Sequence, residues 1–143
     1  MIGLIISGHG NFASCLQTSL KLIAGEISNI EFVDFTEIDS IESLTEKYYI
    51  SLNKLEKCDS ILALSDLAGG SPFKTLVELK TTINKPMEVI AGTNLPMILE
   101  IAIMKNITED IYSLCESALD IGKNGITKFE FISHKDDICE GGI

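Results

Sequence analysis

Hydrophobic positions along the chain follow two alternating rhythms. Short apolar-rich runs occupy residues 2–6, 30–35, 61–64 and 87–91. They are too short for helices and predict strands buried within a sheet. Between them the apolar spacing changes to three and four. Phe12, Leu16, Leu20 and Ile23 predict a helix over 12–24 closed by Gly25. Ile41, Leu44, Tyr48, Leu52 and Leu55 predict a second, with Asp39 and Ser40 offering caps. A third is expected from Pro72 to about residue 82, with Ser71 as N-cap and Pro72 as first helical residue. Another falls near 95–104. The last is capped by Thr108 and carries an apolar face of Ile111, Cys115, Ala118 and Leu119. Phe129-Glu130-Phe131-Ile132 predicts a short fifth strand, and residues 133–143 read as a tail.

Strand–helix alternation with apolar strands implies an α/β fold, a mainly parallel sheet covered on both faces. Right-handed crossovers make it a three-layer, doubly wound sandwich with the flavodoxin-like strand order 2-1-3-4. No internal repeat or linker divides the chain, so residues 1–132 are read as a single domain. In that order, strands one and three are neighbours and a crevice opens between their carboxyl ends. His9 follows strand one and Asp66 follows strand three, so both are expected at that crevice. Thr93 and Asn94, after strand four, are expected on the same rim.

Composition narrows the classes. The 143 residues are 45% hydrophobic, enough for a core without staples, and carry a net charge of −10. No Lys/Arg cluster is available to neutralise phosphates, which argues against nucleic acid and favours a partner with a basic face. Cys15, Cys58, Cys115 and Cys139 are far apart in sequence, so neither a zinc site nor any other metal site is expected. Cys15, Cys58 and Cys115 lie in or beside apolar patterns and read as reduced, partly buried thiols of a cytoplasmic protein. There is no secretory signal, and no run approaches the roughly 20 apolar residues of a membrane span.

His9 concentrates the chemistry. It is one of only two histidines and stands in Ser7-Gly8-His9-Gly10, where packing gives it little to do. The other, His134 in Ser133-His134-Lys135-Asp136, reads as a solvated tail residue. A carboxylate from Asp66 accepting the imidazole Nδ1–H would fix the tautomer and free Nε2 as a nucleophile. Gly69, Gly70 and Ser71 open a helix whose unpaired N–H groups and dipole suit an anion. These parts can hold a phosphoryl group on histidine. No Walker lysine or nucleotide motif accompanies them, so phosphate is expected from another protein and no cofactor is implied.

Two other readings stand beside this one. Gly8, Gly10 and Ala13 spell G-x-G-x-x-A, with Asp34 placed to act as a ribose carboxylate in a Rossmann-type dinucleotide site. A sensor holding a small anion without reacting is the other. A serine hydrolase is disfavoured, because Gly69-Gly70-Ser71-Pro72-Phe73 lacks the final glycine of G-x-S-x-G.

Three motifs carry a resemblance to a known family: Ser7-Gly8-His9-Gly10, Asp66-Leu67-Ala68-Gly69-Gly70-Ser71-Pro72-Phe73, and Ala91-Gly92-Thr93-Asn94-Leu95-Pro96-Met97. In their order and spacing the chain resembles the enzyme IIA component of the mannose family of the bacterial sugar phosphotransferase system, over residues 1–132. The resemblance implies that phospho-HPr phosphorylates His9 at Nε2 and that His9 passes the group to a IIB protein or domain. IIB then serves a sugar entering through membrane components IIC and IID. It also implies that Asp66 pairs with the histidine, that Ser71 starts the phosphate-binding helix, and that the protein is a homodimer exchanging an antiparallel strand, here 129–132. Gly10, Lys74, Thr93 and Asn94 become rim contacts. Leu67-Ala68 stands where members often carry Trp, and Lys74 where they often carry Asn. Phe12-Ala13-Ser14 and Cys139-Glu140-Gly141-Gly142-Ile143 are more similar to the N-acetylgalactosamine branch. Mannose, fructose, sorbose and gluconate systems stay open. The multiphosphoryl subunit for dihydroxyacetone kinase, a related carrier, should lack the Gly69-Gly70-Ser71-Pro72-Phe73 run.

Overall fold

A computed structural model describes residues 1–133. Its elements run β1 (Ile2–His9), α1 (Phe12–Ala24), β2 (Ile30–Phe35), α2 (Ile41–Lys54), β3 (Ser60–Ser65), α3 (Ser71–Thr82), β4 (Met87–Ala91), α4 (Leu95–Met104) and α5 (Ile111–Asn124). The four strands form one parallel sheet in the order β2-β1-β3-β4. The predicted α/β class and strand order are therefore observed.

Alternation along β1 assigns the two faces. Ile2, Leu4 and Ile6 face α1, α4 and α5, where they pack with Leu20, Ile98, Ile101 and Leu114. Ile5 faces α2 and α3, among Leu44, Tyr48 and Leu76. Because strand side chains alternate, Ser7 and His9 continue the second face toward the carboxyl rim. Both central strands, β1 and β3, are buried on both sides, which is why they read as continuous apolar runs.

Several local expectations change. β1 runs on to His9, because pairing with β2 continues through His9 and Phe35. The N-cap of α3 is Gly70, and Ser71 is already helical with no side-chain cap, so the cap expected at Ser71 is not formed. The positive φ of Gly69 (78°) completes the turn one residue earlier than the sequence suggested. Thr108 does not cap α5 either. Asp110 does, accepting from the N–H groups of Tyr112 and Ser113, while Thr108 Oγ1 only accepts from the Asp110 N–H. The buried face of α5 consequently includes Leu114 and Gly122, and Cys115 is only half-buried. Cys15 lies on the outer face of α1 and is exposed, as are Ile23 and Ile41.

The expected fifth strand is not formed: residues 126–133 carry no strand, and Phe129, Phe131 and Ile132 are exposed. A strand there needs an edge to pair with, and one chain folded this way does not bring the segment to one. The expectations for His134 and Cys139, and nearly all of the predicted tail, lie outside the described residues. No helix among the described residues is long and apolar enough to cross a membrane.

Candidate functional site

The geometry at the β1–β3 crevice follows from two strand ends. Ser7 pairs with Ser65, so the next residues of each strand, beyond the last rung, diverge side by side. Asp66 turns its carboxylate toward His9, and its Oδ2 accepts from the His9 backbone N–H at 2.9 Å and contacts ring Nδ1 at 2.8 Å. Its Oδ1 accepts from Leu67 N–H at 2.8 Å and Ser65 Oγ at 3.2 Å. Burial works to raise the Asp66 pKa, but the hydrogen bonds and charge from His9, with the Leu67 N–H, outweigh it and hold the carboxyl below its ordinary range. An ionised carboxylate can only accept, so in the neutral ring Nδ1 carries the proton and Nε2 has the lone pair.

The rest of the ring is held by shape. Phe35 meets it edge-on, with centroids 5.8 Å apart and planes 72° from parallel. Gly70 lies so close that a Cβ there would sit 2.7 Å from Cε1 and 3.4 Å from Nε2. The Nε2 side of the ring thus faces the start of α3. Gly8 serves a different contact: a Cβ on it would strike Phe12 at 2.5 Å and the Asp66 carboxyl carbon at 2.9 Å. Gly10 has φ of 60°, which lets the chain turn from β1 into α1 while its N–H donates to Phe35 O. The His9 side chain remains 44% exposed against 16% for Asp66, so the ring is reachable and its partner is sheltered.

Anion-binding capacity comes from α3. The first N–H groups of a helix have no intrahelical partner. Among the described residues no side chain caps them at α3, and Pro72 has none to offer, leaving those of Ser71 and Phe73. The positive end of the helix dipole therefore points to the space next to Nε2.

The rim residues divide. Lys74 is exposed one turn into α3. Thr93 is buried, its Oγ1 donating to Ser65 O at 2.7 Å, and Asn94 caps α4 while donating to Gly122 O at 2.8 Å. Their polar groups are engaged in holding the loop. Asp34 is likewise occupied: its Oδ1 accepts from Ser14 N–H at 3.0 Å at the start of α1, which disfavours a ribose-binding role. Among the described residues no group of three or more His, Cys, Asp or Glu side chains is arranged to hold a metal ion.

Sequence reasoning missed Tyr48 and Ser7 at this end of the sheet. Ser7 Oγ lies 2.7 Å from Tyr48 Oη and donates to Val33 O at 2.8 Å, in a fully buried position two residues before His9. A serine inside an otherwise apolar strand, opposite a tyrosine on a helix stripe, was the available signal.

Comparison with known proteins bears directly on this arrangement. The model of the family described as PTS system fructose IIA component matches residues 3–119. The chain belongs to this family. It is 37% identical over 101 residues to the fructose-specific EIIA component of Bacillus subtilis, covering 71% of this chain and 68% of that one. It is 32% identical over 125 residues to the mannose-specific EIIAB component of Escherichia coli K12, covering 87% of this chain and 38% of that protein. The chain thus spans about two fifths of the length of that two-component relative. Among solved structures, the phosphotransferase system EIIA from Streptococcus agalactiae superimposes with a TM-score of 0.82 at 29% identity, over 90% of this chain and 98% of that one. The resemblance carried by the three sequence motifs and the four-stranded parallel α/β fold expected from apolar spacing are both borne out.

Proposed function

We propose that this IIA-family protein is a phosphoryl carrier of a sugar phosphotransferase system, with His9 as the transient phosphoryl acceptor. The observation that carries the reading is the pairing of His9 Nδ1 with Asp66 while Nε2 faces the uncapped start of α3. In the first transfer, Nε2 attacks the phosphorus of a phosphohistidine on the donor, phospho-HPr. The new N–P bond forms in line as the old one breaks, and the bonding pair leaves with the donor imidazole. Positive charge that develops on the His9 ring is stabilised by Asp66, and the phosphoryl oxygens are met by the N–H groups of Ser71 and Phe73, with Gly69 and Gly70 allowing close approach. The reverse geometry delivers the group to a IIB protein or domain, which serves IIC and IID. No metal or nucleotide takes part in this scheme.

The remaining expectations belong to the same proposal. The protein acts in the cytoplasm, residues 1–132 work as one domain, and a homodimer forms in which segment 129–132 pairs with the partner copy. Three large apolar side chains exposed on that segment support the last point. Lys74, one turn from the phosphate position, supplies a cation to the phosphoryl group or to IIB. The net charge of −10 favours a basic donor face, so transfer should slow as salt rises through about 0.1 M, where screening reaches about 10 Å.

The test is incubation with enzyme I, HPr and phosphoenolpyruvate. Acid-labile phosphate should appear on His9 and vanish in His9→Gln. No incorporation, or incorporation that survives His9→Gln, refutes the carrier reading.

A further inference from the structure

Beneath the site lies a buried polar group that the transfer scheme does not use. Tyr48 stands on α2, fully buried, and its hydroxyl reaches two other elements at once: Ser7 Oγ on β1 at 2.7 Å, and the carbonyl of Pro72 in the first turn of α3 at 3.3 Å. Ser7 Oγ in turn reaches Val33 O on β2. The chain Val33–Ser7–Tyr48–Pro72 therefore joins strands β2 and β1 to both helices of that face.

Its hydrogens can be counted. Ser7 and Tyr48 own one hydroxyl hydrogen each, and three contacts need one. With Ser7 donating to Val33 O, the Tyr48 hydrogen is divided between Ser7 Oγ and Pro72 O. If Ser7 instead donates to Tyr48, the Tyr48 hydrogen goes wholly to Pro72 O. Either way one hydroxyl governs how tightly the first turn of α3 is drawn toward β1. Burial raises the Tyr48 pKa well above its ordinary value, the Ser7 bond opposes that, and the Asp66 charge adds to it. The hydroxyl thus remains a donor at every working pH.

We infer that Tyr48 is a positioning residue for His9: through Ser7 and Pro72 it sets the gap between the imidazole and the N–H groups that open α3. The geometry makes that gap narrow already, since Gly70 leaves no room for a Cβ beside Cε1. Small shifts of α3 along this line change the space left for a phosphoryl group, and misplacement on the order of 1 Å can cost about 100-fold in rate. The inference builds on the carrier reading, and its experiment separates the two.

The variants are Tyr48→Phe, Ser7→Ala, both together, and Leu79→Ala. Leu79 packs α3 in the same core further along the helix and carries no hydroxyl, so it controls for loss of stability alone. Two measurements are made: the rate of phosphoryl transfer with the lifetime of the phosphohistidine, and amide shifts of Gly70, Ser71 and Phe73 with ring-nitrogen shifts of His9 in the unphosphorylated protein. Tyr48→Phe should slow transfer about threefold to tenfold and shift those amides and the ring. The double variant should be little worse than the worse single one, because one chain is cut twice. Leu79→Ala should destabilise at least as much yet leave transfer and the His9 signals in place. Wild-type behaviour in Tyr48→Phe, or equal effects in Leu79→Ala, overturns the inference. If the wild-type protein takes no phosphate at His9, the carrier reading fails, and the amide and ring shifts still decide the Tyr48 role.

Discussion

Two loops at the carboxyl rim of the sheet are built from nearly the same parts and do different things. Each leaves a central or edge strand, β3 or β4, turns at a glycine with positive φ (Gly69 at 78°, Gly92 at 82°), and enters a helix with proline in its first turn. They part at the N-cap. After β4 it is Asn94, whose side chain accepts from Met97 N–H and donates to Gly122 O, while Thr93 returns to Ser65. After β3 it is Gly70, which has no side chain, so the first turn of α3 keeps its donors and the His9 ring occupies the vacated space. A filled cap makes a joint between α4 and α5. An empty one beside an imidazole leaves its N–H groups open to an anion. The difference costs a few tenths of a kcal/mol of helix stability, the usual gap between asparagine and glycine at this position.

The largest effect is expected where the ring meets its carboxylate. Asp66 accepts four hydrogens, two on each oxygen, and an asparagine in its place could not accept on both sides. In Asp66→Asn an amide NH₂ must face either Leu67 N–H or His9. A flip toward His9 would favour the ring tautomer with its proton on Nε2, the wrong atom for attack. A comparable asparagine exchange at a catalytic His–Asp pair costs about 10⁴-fold, so rapid-quench transfer from phospho-HPr should fall by about 10²- to 10⁴-fold. A loss below threefold would mean that Asp66 does not set the tautomer.

Next comes the exchange that makes the two loops alike. Gly70→Asn places a Cβ 2.7 Å from His9 Cε1 and offers an amide oxygen to the N–H groups proposed to meet phosphate. Transfer should drop by about 100-fold. Retained transfer would show that the uncapped helix start is not the phosphate site. The opposite exchange, Asn94→Ala, removes a cap and the bond to Gly122, costing about 1–2 kcal/mol by urea unfolding. Transfer should stay within twofold of wild type. A larger kinetic loss would put Asn94 in the site after all.

The same contrast separates what sequence intervals encode from what they leave open. Strand order, helix positions and the approach of His9 to Asp66 depend on apolar spacing and on parallel-sheet topology, both written in sequence intervals. Caps depend on one or two dihedral angles. Ser71 before Pro72 reads as a cap because the sequence pattern for Ser-Pro at a helix start does not reveal that Gly69 and Gly70 complete the turn first. Thr93 and Asn94 read as rim contacts because sequence places a residue on a rim without saying that its hydrogen bonds are already taken. In the sequence Tyr48 reads only as an apolar stripe position, since a hydroxyl on a helix face shows its use only when the partner strand is in register. Segment 129–132 has strand chemistry without an edge to join within one chain.

Acid sharpens the comparison at the smallest scale, because a second carboxylate stands on the same rim. Asp39, in the loop from β2 to α2, accepts from Lys47 Nζ, from Thr36 N–H and Oγ1, and from Ser43 Oγ. The Lys47 bond first, then the Thr36 bonds, hold its pKa far below the ordinary 3.8. Asp66 is also lowered from 3.8. A carboxyl with a depressed folded-state pKa binds protons more readily when unfolded, so its stabilisation is complete above the unfolded value and is lost as pH falls toward the folded one. Wild-type stability should therefore be level near neutrality and decline below about pH 4. Asp39→Asn should flatten that decline the more, since Asp39 is the more strongly shifted, while transfer at neutral pH stays within twofold. Asp66→Asn should flatten it less and yet remove most of the transfer. If the two variants exchange these behaviours, the carboxylate that matters for chemistry is the one in the β2–α2 loop. The ring at the end of β1 would then be oriented by something other than its nearest acid.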